Sequence, residues 1–221
     1  MRYQSITRGI FVERPNRFIA YVEINGKKET VHVKNTGRCK ELLIPGVEVV
    51  LEISDNPARK TKYDLIAVYK KFFGLINMDS QAPNKVAKEW LQTQGYDYIK
   101  PEYTYGQSRI DFYMERDDEK YLMEVKGCTL EMDGIGYFPD APTERGVKHL
   151  KELTEATKQG FHCSVAFVIQ MEGISEVRPN FATHKAFGDA LAEAKCAGVE
   201  ILGLCCKVQE NSLEVVDVKQ L

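Results

Sequence analysis

RIDFYMERDDEKYLMEVK, residues 109–126, decides how the chain is read. Two runs of alternating apolar and polar residues, 109–114 and 121–126, flank the polar stretch Arg116-Asp117-Asp118-Glu119. Alternation is the periodicity of a strand, and a short polar break between two such runs signals a hairpin. In the first strand Ile110, Phe112 and Met114 share one face, with Arg109, Asp111 and Tyr113 on the other. In the second, Tyr121, Met123 and Val125 oppose Leu122, Glu124 and Lys126. A two-residue turn at Asp117-Asp118 sets Phe112 against Met123 and Ile110 against Val125. The same register sets Asp111 across from Glu124 and Arg109 across from Lys126. A slip of one residue would turn Glu124 to the opposite face, so the apolar pattern specifies the register.

Carboxylates directly opposed on a ladder have Cβ atoms about 4.5–5.5 Å apart and repel. A cation, a metal ion or a raised pKa must offset that cost. Asp111, Glu124 and the Val125 carbonyl make an oxygen set suited to Mg²⁺ or Mn²⁺. Lys126 lies two positions beyond Glu124 on the same face, where it would orient a water or stabilise charge developing on a phosphoryl group. The alternative is a solvated polar face, because Glu-x-Lys is a common pattern. Glu193-Ala194-Lys195 repeats it, and Asp217-Val218-Lys219 is its acidic variant. Context weighs for a site. A helix carrying Glu89 precedes the hairpin, and a helix starting at Thr143 follows it with Arg145 and His149 four residues apart on one face. The start of that second helix also aims backbone N–H groups at an anion. Asp140, just before it, is either a third ligand or a helix cap.

Outward from the hairpin, the C-terminal part reads as a mixed sheet. Val86, Ala87, Trp90 and Leu91 form a helical stripe that Gly95 ends. Extended runs at 96–105, 109–114 and 121–126 follow, then a turn-rich loop, 127–142. After it come a helix at 143–158, a strand at 163–169, a helix at 183–197 and a strand at 199–207. Three strands in series and then helical crossovers predict helices on both faces of the sheet. The N-terminal part reads as short strands, 18–24, 28–33, 47–53 and 63–73, with turns at Asn25-Gly26 and Pro45-Gly46 and a basic loop at 55–60. That pattern suits a small Greek-key barrel, the oligonucleotide-binding fold among others. The expected division is 1–79 and 80–221.

Composition agrees with two folded units. The chain has 221 residues, 43% apolar and 28% charged, enough to bury a core and against disorder. Its net charge of −2 is unevenly spread. Residues 1–79 carry 14 Lys+Arg against 9 Asp+Glu, and the remainder carries 16 against 23. A basic barrel is placed to face a polyanion. Arg14, Arg17, Lys34, Arg38, Lys40, Arg59 and Lys60 are its candidate phosphate contacts, while Phe11, Phe18 and Tyr21 serve either as stacking faces or as core. Six cysteines with no Cys-x-x-Cys pair read as buried reduced thiols, not as a disulfide framework or zinc cluster. No apolar run approaches the ~20 residues of a membrane span. MRYQSITRGIF lacks the layout of a signal peptide, so a cytoplasmic protein is expected.

Several motifs together resemble one family. They are Asn35-Thr36-Gly37-Arg38 with Glu41-Leu42-Leu43, Tyr105-Gly106-Gln107-Ser108-Arg109-Ile110-Asp111-Phe112, Glu124-Val125-Lys126, and Phe138-Pro139-Asp140-Ala141 through Arg145-Gly146 to His149-Leu150. Asn16-Arg17-Phe18 fits as well. Over almost its whole length the chain resembles the sugar fermentation stimulation protein A family of prokaryotes. The resemblance implies an N-terminal oligonucleotide-binding-type barrel joined to a restriction-endonuclease-like domain of the PD-(D/E)XK class. It further implies DNA binding linked to regulation of sugar metabolism. In that class Asp111 matches the acidic residue opening the hairpin, and Glu124 and Lys126 match the Glu-x-Lys pair. Glu89 is the looser match for a helix carboxylate. Arg145 or His149 would hold the scissile phosphate, and Arg17 and Arg38 sit in matching motifs. Two places depart from the family pattern. Residues 170–173 read Gln-Met-Glu-Gly where an Arg is expected, and His184 stands where Asp is frequent. The fold class contains both nucleases and binding proteins. The reading is a DNA-binding protein of low sequence specificity, or, as the alternative, a Mg²⁺-dependent endonuclease.

Overall fold

The computed structural model describes every residue except Thr36 and Ser175, so the expected motif at 35–38 lies outside the described residues at Thr36. Six strands open the chain: β1 (Ile6–Glu13), β2 (Ile19–Ile24), β3 (Lys27–Val33), β4 (Glu48–Ile53), β5 (Tyr63–Lys70) and β6 (Gly74–Asn77). Their order is β3-β2-β1-β4-β5-β6, and β3 also pairs with β5, so β1 to β5 close into a barrel of the oligonucleotide-binding type. Asn25-Gly26 makes the expected tight turn between β2 and β3, both residues at positive φ. β1 was not expected. Thr7, Arg8 and Gly9 interrupt its alternation, and only pairing with β2 and β4 makes it a strand.

Helix α1 (Ala82–Leu91) leads into β7 (Tyr98–Tyr105), β8 (Ser108–Arg116) and β9 (Glu119–Cys128). There follow β10 (Leu130–Met132), β11 (Ile135–Phe138), α2 (Glu144–Lys158), β12 (His162–Ile169), β13 (Val177–Pro179), α3 (Phe181–Cys196), β14 (Glu200–Gln209) and β15 (Ser212–Gln220). The main sheet has the order β15-β14-β12-β9-β8-β7. β12 runs parallel to β9 and β14, and the outer pairings are antiparallel, which makes the sheet mixed as expected. α1 packs with Phe112, Met114, Met123 and Val125 on one face. α2 and α3 pack with Tyr113, Leu122, Val165 and Phe167 on the other. The stretch expected to be a loop, 127–142, contains β10 and β11, which form a small sheet with β13. β15 is an outer strand whose exposed Val216 and Val218 gave no buried alternation to read.

One apolar cluster runs from the barrel into the mixed-sheet part. Cys128, Ile169, Met171 and Ile174 pack among Phe11, Val22, Leu51 and Leu65. Beside it lies a buried polar network. Gln170 donates from Nε2 to Asn77 Oδ1 at 2.8 Å and to the Asp79 carbonyl at 3.1 Å, while Tyr3 donates to Asp79 Oδ2 at 3.1 Å. The departure at Gln170 is thus an amide that ties the two parts together. His184, the other departure, accepts from the Thr143 backbone N–H and contacts Glu144. All six cysteines are unpaired, but Cys196 is exposed and Cys205 half-buried, so only four are core thiols. No described helix is long and apolar enough to cross a membrane.

Candidate metal centre and nucleic-acid interface

The β8–β9 hairpin has the expected register from Phe112–Met123 to Arg116–Glu119. Asp117 and Asp118 turn it with φ of 50° and 65°. Beyond Phe112 the ladder stops, so the pairs Ile110–Val125, Asp111–Glu124 and Arg109–Lys126 do not form as ladder partners. The cause is Asp111 itself. Its Oδ2 accepts a hydrogen bond from the Val125 backbone N–H at 2.8 Å, where a main-chain carbonyl would otherwise accept. The alternation slips at this point as well. Ile110 joins Tyr113 and Leu122 on the α2–α3 side, while Phe112 and Met114 lie on the α1 side. Arg109 faces Glu102 at 3.5 Å.

Glu124 is only 3% exposed. Its Oε1 accepts from Lys126 Nζ at 2.5 Å and from His149 Nδ1. Its Oε2 is buried and has no hydrogen-bond partner. Arg145 donates from Nε to His149 Nε2 at 3.3 Å. An arginine only donates, so this bond fixes His149 as the tautomer with its proton on Nδ1, which then donates to Glu124. On the other side, Asn84 of α1 donates from Nδ2 to Asp111 Oδ1 at 2.8 Å.

Burial pushes both carboxyls up, but their net shifts are opposite. Asp111 is pushed above its ordinary pKa, by burial first and then by the negative charge of Glu124. The Val125 N–H, Asn84 and Lys126 offset this only in part. Burial also pushes Glu124 up, but the His149 hydrogen bond and the Lys126 charge outweigh it and hold Glu124 below the usual range. One carboxylate is held ionised with a buried oxygen left over, and its neighbour is short of positive charge. Both lack the positive charge that a hard divalent cation would supply. No group of three His, Cys, Asp or Glu side chains converges on a metal position among the described residues. The oxygens available at this place are those of the two carboxyls and of the main chain.

Other expected residues fall elsewhere. Glu89 is 57% exposed and paired with the amino group of Met1 at 2.5 Å, so Asn84 is the α1 residue at the site. An amide on a helix of this composition carries no signal in sequence. His149 is 3% exposed with both ring nitrogens engaged, so it is not a phosphate contact; it braces Glu124. Asp140 does not cap α2, because Thr143 does, accepting from the Gly146 N–H at 3.0 Å. Arg145 is exposed at the start of α2.

Six of the seven basic barrel residues divide into two groups, and Lys60 is exposed away from both. Arg14 donates to the carbonyls of Arg17, Asn35, Gly37 and Arg38. Arg59 forks onto Asp64 at 2.6 and 2.7 Å, and Lys34 pairs with Glu52 at 2.6 Å. These three are internal structure. Arg17, Arg38 and Lys40 have no acidic partner among the described residues, and all three line one groove of about 570 Å³. Phe18, 52% exposed, lies beside the Arg17 guanidinium. Phe11 is core, and Tyr21 is half-buried beneath Lys28.

A small barrel joined to a sheet of this order, with a carboxylate–lysine hairpin at its centre, defines a restriction-endonuclease-like protein with an oligonucleotide-binding-type extension. The chain belongs to the sugar fermentation stimulation protein family. The model of the SfsA N-terminal OB domain matches residues 12–78, and that of the sugar fermentation stimulation protein RE domain matches residues 81–212. It is 57% identical to the sugar fermentation stimulation protein homolog of Desulfitobacterium hafniense over 98% of this chain and 96% of the relative. It is 53% identical to that of Ruminiclostridium cellulolyticum over 97% and 96%. The solved structure of Pyrococcus furiosus SfsA in complex with Ca²⁺ matches with a TM-score of 0.85 at 27% identity, covering 100% of this chain and 95% of that one.

Proposed function

We propose that the chain binds nucleic acid and hydrolyses phosphodiester bonds with the help of Mg²⁺ or Mn²⁺. The observation that carries this is the buried, partnerless Glu124 Oε2 beside a second carboxyl that lacks positive charge. Asp111, Glu124 and the Val125 carbonyl would hold the cation. When bound, such an ion supplies Lewis-acid charge to the phosphoryl group and makes water a competent nucleophile at neutral pH. His149, itself steadied by Arg145, holds Glu124 Oε1 so that Oε2 faces the cation. The Lys126 ammonium stays beside Glu124, where it orients the attacking water and stabilises charge on the phosphoryl oxygens. Arg145, exposed at the start of α2, would take a phosphate oxygen. Arg17 and Arg38 on the barrel would bind phosphates without reading bases. Ca²⁺ in the Pyrococcus furiosus complex supports a hard divalent ion in this fold.

Binding without cleavage is the second reading. It is favoured by Asn84, an amide where a helix carboxylate would complete the ligand set. A role in sugar metabolism, carried by the family's name, would follow from nucleic-acid binding. α1, α2 and α3 are separated by strands and form no helix-turn-helix.

Supercoiled plasmid and labelled oligonucleotides, incubated with Mg²⁺, Mn²⁺ or EDTA beside Asp111→Asn, test the proposal. Metal-dependent nicking that the variant lacks is the expected result. Nicking in EDTA, or by the variant, overturns it. A salt-sensitive shift of the same DNA without nicking establishes the second reading.

A further inference from the structure

Resting on the nucleic-acid reading above, we propose that the ligand is a single strand, bound in one cleft that runs from the barrel to the hairpin with an unpaired base in its inner half. The groove holding Arg17, Arg38 and Lys40 meets a second cavity of about 300 Å³ at Gly37 and Ala141, which line both. The inner cavity lies between the barrel and the mixed sheet, and its wall includes Gly127, the residue after Lys126. The lining is therefore continuous from the free cations to the edge of the metal centre. Both ends of the inner cavity need bare backbone. A Cβ on Gly37 would lie 2.5 Å from Asp140 Oδ2, and one on Gly127 would lie 2.4 Å from Gln170 Oε1.

The two halves differ in chemistry. The outer groove offers guanidinium and ammonium charge, which takes phosphates, and Phe18, outside the groove lining but beside Arg17, gives an open stacking face next to it. Among the described residues, no lysine or arginine lines the inner cavity. Its walls include Tyr137, Phe138 and Pro139, and its polar groups include Asn35 and Asp140. The Asp140 carboxylate repels a phosphate but accepts from the N–H groups on a base edge. Ring walls from Tyr137, Phe138 and Pro139, with the amides of Asn35 and Gln170, the Thr129 hydroxyl and the Asp140 carboxylate between them, fit the faces and hydrogen-bonding edge of a nucleobase. In a duplex both the edge and the faces of a base are already occupied, so only an unpaired nucleotide fills this cavity while its neighbours lie on the barrel.

The test is fluorescence anisotropy in EDTA with the full wild-type chain. The probes are labelled single strands of about 4 to about 20 nucleotides, the range of barrel site sizes, and a duplex of the greatest length. The expected result is single-strand binding at least about tenfold tighter than duplex binding, and affinity that rises with length until the strand reaches the inner cavity. Arg17→Glu with Arg38→Glu should weaken every length at least about tenfold. Pro142→Trp fills the inner cavity from a residue that does not line the outer groove, and should remove only the gain with length. Ser80→Phe fills it from the barrel side if the first variant does not fold. Equal or tighter duplex binding, or an unchanged length profile in a folded filling variant, overturns the cleft. Parallel samples with Mg²⁺ separate the two ideas. Single-strand binding without cleavage removes hydrolysis and keeps the cleft, whereas cleavage of duplex with no single-strand preference removes the cleft and keeps hydrolysis.

Discussion

Two acidic centres, one around Asp64 in the barrel and one around Glu124 at the hairpin, are built to opposite rules. In the barrel, Asp64 has both oxygens occupied. Arg59 forks across them, His32 Nδ1 lies 2.9 Å from Oδ1, and Lys34 is 3.7 Å from Oδ2. Burial pushes the Asp64 carboxyl up, but Arg59, His32 and Lys34 together pull it below the ordinary value. At the hairpin, Asp111 is left short of positive charge and Glu124 keeps an unused oxygen. The first centre is closed by the protein's own cations and serves the fold. The second is not closed by the protein's own cations: one Glu124 oxygen stays buried without a partner. A buried carboxylate thus marks function only when its partners are counted.

The largest effect should break the hairpin centre. Lys126→Ala is expected to lower the rate of cleavage about 10²–10³-fold while leaving oligonucleotide affinity in EDTA unchanged, measured by gel and by anisotropy. Next, Asp64→Ala should destabilise the chain by about 3 kcal/mol in urea melts, because it leaves the Arg59 guanidinium and the His32 ring without their partner. The equivalent removal at the hairpin should have the reverse sign. Asp111→Asn keeps an acceptor for the Val125 N–H and removes a charge the site disfavours. Without metal it should melt a few degrees higher than wild type, the shift that about 1 kcal/mol produces in a chain of this size. Added Ca²⁺ should stabilise wild type and not the variant.

The bracing histidine gives a finer comparison. His149→Ala should weaken Ca²⁺ binding about 10-fold by calorimetry, as loss of a residue that orients a ligand does. His149→Asn, whose amide reaches the place of Nδ1, should recover most of it, which mere packing would not require. The smallest effect is in pH. Asp64, with its folded pKa lowered, contributes stability above the unfolded Asp value of about 3.9 that is lost as pH falls through the folded value. Asp111, with its folded pKa raised, costs stability at neutral pH, and the cost disappears as pH falls toward that same unfolded value. The gap between Asp111→Asn and wild type should therefore close on acidification, while the gap for Asp64→Ala also narrows from the other side.

Much of this was legible in residue order. The alternation around Asp117-Asp118 set the register of the hairpin from Phe112–Met123 to its turn, and put Asp111, Glu124 and Lys126 on its two strands. What could not be read was the end of the ladder. A side-chain carboxylate taking a main-chain acceptor's place leaves no mark on periodicity, and neither does the slip that sends Ile110 to the other face. Asn84 and the bracing role of His149 are contacts between distant segments. β1 and β15 were missed for related reasons, one broken by Gly9 and Arg8, the other too solvated to alternate. Of the seven basic residues on the barrel, the family motifs singled out Arg17 and Arg38, but nothing in residue order marked which of the others are tied up inside the fold. Arg14, Lys34 and Arg59 then proved to be internal.

The apolar cluster that takes Cys128, Ile169, Met171 and Ile174 into the end of the barrel has a consequence for modularity. A barrel cut off near residue 79 would lose part of the hydrophobic plug that its own strands enclose. It would expose Phe11 and Leu51 to water and gather into aggregates. Two architectures that look separable on paper would melt as one cooperative unit, with a single calorimetric peak. Neither half can then be borrowed, shuffled or assayed alone.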